Sequence, residues 1–412
     1  MKIKRIMVLF VILILVFANK VQAVTPEITA TSAAVIECMD GKILYSKSMD
    51  EKVYPASLTK ILTAIVVLDN CDINKTITVT QSAIDSVEYG YLTSNIKAGE
   101  ELTVEQLLNI LLISSCNDVA NVLAESVGGN MENFIAMMNE KAKEIGCTNS
   151  NFVNCSGEHN ENHYSTAHDL ALIGKCAMGY DEIKNIVNKI SYKLGSTNLY
   201  QKEDRLYETS NEMLLSGSSN YCSYAYGIKT GFTTPAGNCL MVYTLKNDIP
   251  LVTVVMKSTT SNSRYDDARS IFKYAYDNNT LRSVVAAGTN LQTVNVKKAT
   301  GETKKLNVVL DESIVVVVND ENLETNYEPQ ISMTEGLKAP IAKGEKVGNV
   351  VYEIEGKIYT RNLIAENEVK KSKIGLIMCL TFIGLITLFG GLRVFSFCKR
   401  SKTLKKLRNG IK

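Results

Sequence analysis

No Cys-x-x-C pair occurs among the ten cysteines of this 412-residue chain, which removes the usual thiolate zinc sites. There is no internal repeat and no low-complexity tract, so neither a solenoid nor a biased linker accounts for the length. Acidic residues are missing before Val24 and after Lys373, and charge of either sign is missing from Ile374 to Leu392. The formal net charge of +2 therefore conceals a polarised chain. Four basic residues lie before Val24 and eight after Leu392, leaving 33 basic against 43 acidic residues between Val24 and Lys373, a balance of −10. So acidic a stretch is poorly suited to a phosphate backbone, and nucleic acid is not an expected partner.

What is present at the two ends sets the compartment. Lys2, Lys4 and Arg5 precede an apolar run from Ile6 to Ala18, and Val21-Gln22-Ala23 offers small residues at the −3 and −1 positions. Residues 1–23 therefore read as a secretory signal peptide, with a mature chain expected to begin near Val24. The run from Ile374 to Leu392 has the length of a transmembrane helix. Lys370, Lys371 and Lys373 precede it, and the eight basic residues from Arg393 to Lys412 follow. The heavier basic flank, residues 393–412, is expected in the cytoplasm and everything upstream outside. Cys379 and Cys398 fall in or beside this run. The other eight cysteines have irregular spacings, and about 350 residues can bury a core without staples, so mostly unpaired buried thiols are expected.

Between the ends, patterning predicts mixed helix and sheet. Ala33–Cys38 and Ile43–Tyr45 flank the turn dipeptide Asp40-Gly41, a hairpin signal. Helical spacing starts just after Pro55, with Leu58, Ile61, Leu62, Ile65 and Leu68 on one face. Val104–Leu112 and Val119–Val127 read as two helices separated by the polar break Ser114–Asp118, and Met131–Ile145 as a third stopped by Gly146. Strand-like segments follow at Gly227–Thr230, Cys239–Leu245 and Leu251–Met256, then a helix from about Arg264 to Tyr276. Beyond Asn279 short β-rich runs (Thr293–Lys298, Lys305–Leu310, Ile314–Val318, Val350–Tyr352) predict a small all-β domain.

Three short motifs could carry chemistry. Ser57-Leu58-Thr59-Lys60 opens a predicted helix. Residues three apart share a helix face, so the Lys60 ammonium can lie beside the Ser57 hydroxyl, and a desolvated lysine can take the proton of a serine nucleophile. Ser115-Cys116-Asn117 occupies the break between two helices, where it could equally be a capping motif. Lys229-Thr230-Gly231 ends an apolar stretch: a positive charge, a hydroxyl, and a glycine that permits close backbone approach. Each alone is weak.

In this order they form the set used by penicillin-binding proteins and serine β-lactamases. The text around them, Pro55-Ala56-Ser57-Leu58-Thr59-Lys60, Ser115-Cys116-Asn117-Asp118, Ser165-Thr166-Ala167-His168-Asp169-Leu170-Ala171, and Lys229-Thr230-Gly231-Phe232-Thr233 followed by Ala236-Gly237, resembles the low-molecular-mass D-alanyl-D-alanine carboxypeptidases over about Ile28 to Tyr276. The resemblance implies an α+β fold. A penicillin-binding type catalytic domain (24–280), an antiparallel sheet packed by helices, is followed by the β-rich domain (281–365) and the C-terminal helix (374–392).

It also implies roles. Ser57 is the acylated nucleophile, Lys60 its general base, and Ser115 a proton relay to the leaving amine. Asn117 binds the peptide amide. Backbone N–H groups of Ser57 and Phe232 form the oxyanion hole, and Lys229, Thr230 and Arg264 hold the terminal carboxylate beside Gly231. The implied substrates are peptidoglycan stem peptides ending in D-Ala-D-Ala, with β-lactams as covalent inhibitors and no metal or cofactor. His159, His163 and His168 are accordingly not read as ligands. Endopeptidase or β-lactamase action on the same scaffold, or an inactive wall-binding protein, are the alternatives. Two departures stand out: Cys155 replaces a proline common in the family, which puts the local loop shape in question. Glu158 and Asn162 imitate the Glu-x-x-x-Asn pattern of class A β-lactamases, an imitation read as coincidence because the neighbouring sequence follows the carboxypeptidases.

Overall fold

The computed structural model describes residues 24–201, 205–300, 304–319 and 327–409. The expected signal peptide, residues 1–23, lies outside the described residues. The chain divides into two compact units, one running to Leu281 with Val317–Asn322, the other comprising Arg282–Val316 and the rest from Leu323.

The first unit opens on the hairpin β1 (Ser32–Glu37) and β2 (Ile43–Lys47), which turns at Gly41 with φ +78°. A 3-10 turn, Ala56–Leu58, leads into α1 (Thr59–Asn70). Then come β3 (Thr76–Thr78), α2 (Gln81–Asp85), β4 (Glu101–Thr103) and the helices α3 (Val104–Ser114), α4 (Asn117–Gly128), α5 (Met131–Ile145), α6 (Ala167–Ala177) and α7 (Asp181–Val187). A small hairpin, β5 (Ser191–Leu194) and β6 (Arg205–Glu208), precedes β7 (Lys229–Thr233), β8 (Gly237–Lys246), β9 (Ile249–Ser258) and α8 (Ser263–Asn278).

The sheet runs β2-β1-β9-β8-β7, antiparallel at every pairing. Because strand side chains alternate between faces, Ala34 and Ile36 of β1 join the core built with α1 and α3–α6, while Ala33 and Val35 join the one that includes Tyr265, Ile271 and Phe272 of α8. Both faces are thus covered by helices, and β7 is left as an edge. Local chemistry sets the ends that matter. Thr103 and Gln106 form a reciprocal capping box at the start of α3, Asn130 caps α5, and Gly146 (φ +100°) ends it.

In the second unit β11 (Asn290–Asn295), β12 (Lys305–Leu310), β16 (Lys357–Ala365), β15 (Lys346–Ile354) and β14 (Gln330–Met333) form one sheet in that order. β10 (Thr280–Val285) pairs with β13 (Ile314–Val318), and the division falls within each of these two strands. α9 spans Ile374–Asn409, longer than the uncharged run. All eight cysteines outside α9 are free; Cys116, Cys147, Cys155, Cys222 and Cys239 are buried and Cys38, Cys71 and Cys176 half-buried.

Candidate active site

The 3-10 turn sets Ser57 at the mouth of α1, half-buried, while the Lys60 side chain is fully buried. Lys60 Nζ lies 3.0 Å from Ser57 Oγ, 2.7 Å from Asn117 Oδ1 and 2.5 Å from the Ser156 carbonyl oxygen. None of these partners is a carboxylate. Burial therefore prevails and pushes the Lys60 ammonium down to about 8. The turn itself is tightly held: Ala56 is left-handed at φ +48°, and a methyl group on Gly157 (φ +84°) would sit 1.8 Å from the Ala56 carbonyl oxygen. Only glycine lets the 154–159 loop cross there.

The second motif is placed by a helix end. α3 terminates because Ser115 is left-handed, φ +66° and ψ +25°, and α4 begins at once with Asn117. The corner is fixed from outside by the Asn117 N–H, which donates to the Leu92 carbonyl at 2.8 Å, and by buried Asp118, which accepts from Ser94. Asn117 Nδ2 donates to Glu158 Oε1 at 2.8 Å. Burial raises the Glu158 carboxyl above its ordinary value, against the pull of Asn117 and Lys60.

The third motif lies on the edge strand. A Cβ on Gly231 would be 3.2 Å from the Pro55 carbonyl and 3.3 Å from the Ser57 nitrogen, so β7 runs hard against the Ser57 turn. Lys229 is buried, and its Nζ donates to the Thr230 carbonyl at 3.1 Å. Burial first, then Lys60 and Arg264, push Lys229 down to about 7. Thr230 Oγ1 is 2.5 Å from Ser210 Oγ, and the Ser210 carbonyl accepts from the Tyr265 hydroxyl. That hydroxyl accepts from Arg264 Nη2 at 3.0 Å. Arg264 is buried with its Nε unpartnered, so it is no surface arginine. Phe232, next along β7, is exposed.

Ser57, Lys60 and Asn117 are thus joined directly, Gly231 packs beside them, and the Arg264 charge is one of the influences that lower Lys229. Sequence reasoning missed Ser156, Ser210 and Tyr265 as supports of this cluster. The Asn154–Gly157 stretch was noticed for Cys155 rather than for the carbonyl beside it. Cys155 does not disturb the loop: its thiol bonds Asn121 Oδ1 at 3.3 Å and its carbonyl accepts from Thr63 at 2.6 Å. The Asn162 backbone accepts from Asn151 Nδ2 and donates to Asn160 Oδ1, while Glu158 Oε1 is bonded to Asn117 rather than to Asn162. The histidines take separate partners: His163 with Thr59 and Val153, His159 edge-on to Tyr54, and His168 near Asp50.

A serine hydroxyl beside a buried amine of lowered basicity, facing a cationic strand edge, defines a serine acyl-transfer enzyme. Comparison with known proteins gives the family. Residues 19–260 match the peptidase family described as D-alanyl-D-alanine carboxypeptidase, and residues 280–371 match the C-terminal domain of penicillin-binding protein 5. The chain belongs to this family of serine peptidases. It is 29% identical over 346 residues to the D-alanyl-D-alanine carboxypeptidase DacF of Bacillus subtilis, covering 82% of this chain and 85% of that protein. It is 30% identical over 250 residues to a D-alanyl-D-alanine endopeptidase of Escherichia coli, covering 59% and 76%. The structure of penicillin binding protein 5 from Haemophilus influenzae superposes with a TM-score of 0.63 at 25% identity, over 85% of this chain and all of that one.

Proposed function

We propose that the chain removes the terminal D-alanine from peptidoglycan stem peptides through an acyl-enzyme on Ser57. The observation that carries this is the set of partners around Lys60. A neutral amine has two N–H donors and one lone pair. Asn117 Oδ1 and the Ser156 carbonyl can only accept, so they take both donors and the lone pair is left for the Ser57 hydroxyl. Once Ser57 attacks the D-Ala-D-Ala amide, the proton held on Lys60 passes towards the leaving amine by way of Ser115. Backbone N–H groups of Ser57 and Phe232 stabilise the oxyanion, donors of a kind worth about 3 kcal/mol each. D-alanine leaves and water releases the shortened peptide. Lys229, Thr230 and Arg264 receive the substrate carboxylate, and β-lactams acylate the same serine.

On this reading residues 1–23 are removed on export, residues 24–280 carry the catalysis, residues 281–365 form the β-rich domain, and residues 374–392 cross the membrane with 393–412 in the cytoplasm. Cleavage of cross-links is the second reading, favoured by the similarity to the E. coli endopeptidase. Labelling with a fluorescent penicillin followed by peptide mapping tests the acyl-enzyme; absence of label on Ser57 sinks it. Chromatography of wall fragments after incubation then separates loss of D-alanine from loss of cross-links.

A further inference from the structure

Among the described residues, Glu158 carries the only carboxylate bonded to a member of the Ser57, Lys60, Asn117 and Lys229 cluster. We infer that Glu158 is a positioning residue for acylation: it fixes the Asn117 amide so that Lys60 keeps its lone pair for Ser57. This rests on the base role proposed for Lys60.

The geometry argues as follows. An asparagine amide has a donor end and an acceptor end of nearly the same shape. Turned over, Asn117 would present N–H to Lys60 and occupy the lone pair that Ser57 needs, silencing the base. Lys60 can resist that only while charged, when it is not a base. Glu158, whose Oε1 accepts from Nδ2 at 2.8 Å, resists it in both states of Lys60 while its carboxylate is charged, because the overturned amide would then set a carbonyl oxygen against it. The amide orientation required for proton transfer is therefore held by a group that never touches the serine.

The charge has its own effect. Lys60 is faced by Cys155 and Glu158 from the 154–159 loop, by Cys116 and Asp118 from the start of α4, and by Lys229 and His163. Burial pushes both thiols up to about 12 and His163 down to about 4, so these stay neutral between. Asp118 is engaged by Ser94 and the Val119 N–H. Glu158, itself near Glu88, favours the charged form of Lys60, and removing its charge lets Lys60 lose its proton at lower pH. Burial, Lys60 and Arg264 hold Lys229 at about 7, so each variant's profile is read as its difference from the wild-type profile recorded beside it.

The test is the pH profile of penicillin acylation of the full chain in detergent. Glu158→Gln is expected to move the acid limb down by roughly half a pH unit or more, and Glu158→Asp to restore it. Glu158→Leu, which leaves Nδ2 without an acceptor, is expected to lower the plateau rate about 10-fold. An acid limb that stays in place in Glu158→Gln, or a Glu158→Leu plateau equal to wild type, overturns the inference. A wild type that does not label on Ser57 overturns instead the reading of the site.

Discussion

Lys60 and Lys229 are buried cations without a carboxylate contact, and their lowered affinities for protons, about 8 and about 7, give the site its chemistry. A free lysine would be charged below about pH 10; Lys60 is substantially neutral just above 8. Acylation by penicillin should therefore climb between about pH 7 and 9, and a rate flat across that range would remove Lys60 as the base. Ser57→Ala should lose the adduct altogether, whereas Lys60→Ala should slow acylation by the ~100-fold typical of a lost general base while leaving the fold intact; label found on Ser115 would reverse the assignment. Arg264 is tied through Tyr265 and Ser210 to Thr230, which favours its reading a carboxylate. Charge-assisted bonds of that sort contribute roughly 1.5–3 kcal/mol, so amidating the terminal D-Ala should cut kcat/KM about 100-fold. Arg264→Ala should narrow that gap, and equal losses on acid and amide would make Arg264 structural. The three motifs were legible because their residue types recur in a fixed order. Ser156, Ser210 and Tyr265 were not, because each acts through contacts between segments 20 to 96 residues apart, and Glu158 was noticed only as an imitation of another family's pattern.

At the scale of elements, helices with complete end signals could be read from sequence: Met131–Ile145 has its Asn130 cap and Gly146 stop. The 3-10 turn at Ala56–Leu58 could not, because it is imposed by what crosses it. Gly157 supplies the crossing, so Gly157→Ala should both lower stability, by about 2 kcal/mol or more, and slow penicillin labelling at least tenfold. Normal labelling in a folded variant would show that the turn tolerates displacement. β14 and β16 were also missed. Their faces are half-exposed with few buried apolar residues, and pairing with β15 defines them. His163 ties the start of α1 to the 151–153 segment through Thr59 Oγ1 and the Val153 N–H. Burial holds its folded pKa at about 4, below the ordinary 6.5. The unfolded chain therefore binds a proton that the folded one refuses, and stability falls as pH drops from about 6.5 to 4. Integrated over that shift the loss is on the order of 3 kcal/mol. His163→Gln should flatten the decline in denaturation midpoints over the same window, and an unchanged slope would place the acid sensitivity elsewhere.

At the scale of the whole molecule, charge and helix length answer different questions. α9 continues without a break from Ile374 to Asn409, about 54 Å at 1.5 Å per residue, far more than the ~30 Å of a bilayer core. The uncharged part, Ile374 to Leu392, measures about 28 Å. Backbone propensity lets the helix run on, while on the proposed reading the cost of burying charge sets where the hydrocarbon would end. The boundary is therefore expected at Arg393, where the basic residues begin, rather than at the end of the helix. With lysines on one side and eight basic residues on the other, the heavier cluster should stay in the cytoplasm. The residues proposed to act in catalysis all lie before Asn279, and the last strand of the second unit ends at Ala365, upstream of the helix. Deleting the chain from Ile374 should yield a soluble protein that acylates with penicillin at the full-length rate. In intact cells, protease added outside should release the first unit and leave a tag placed after Lys412 untouched. A tag cleaved from outside would invert the proposed topology, and a truncated chain that is soluble but does not acylate would mean that α9 contributes to the site.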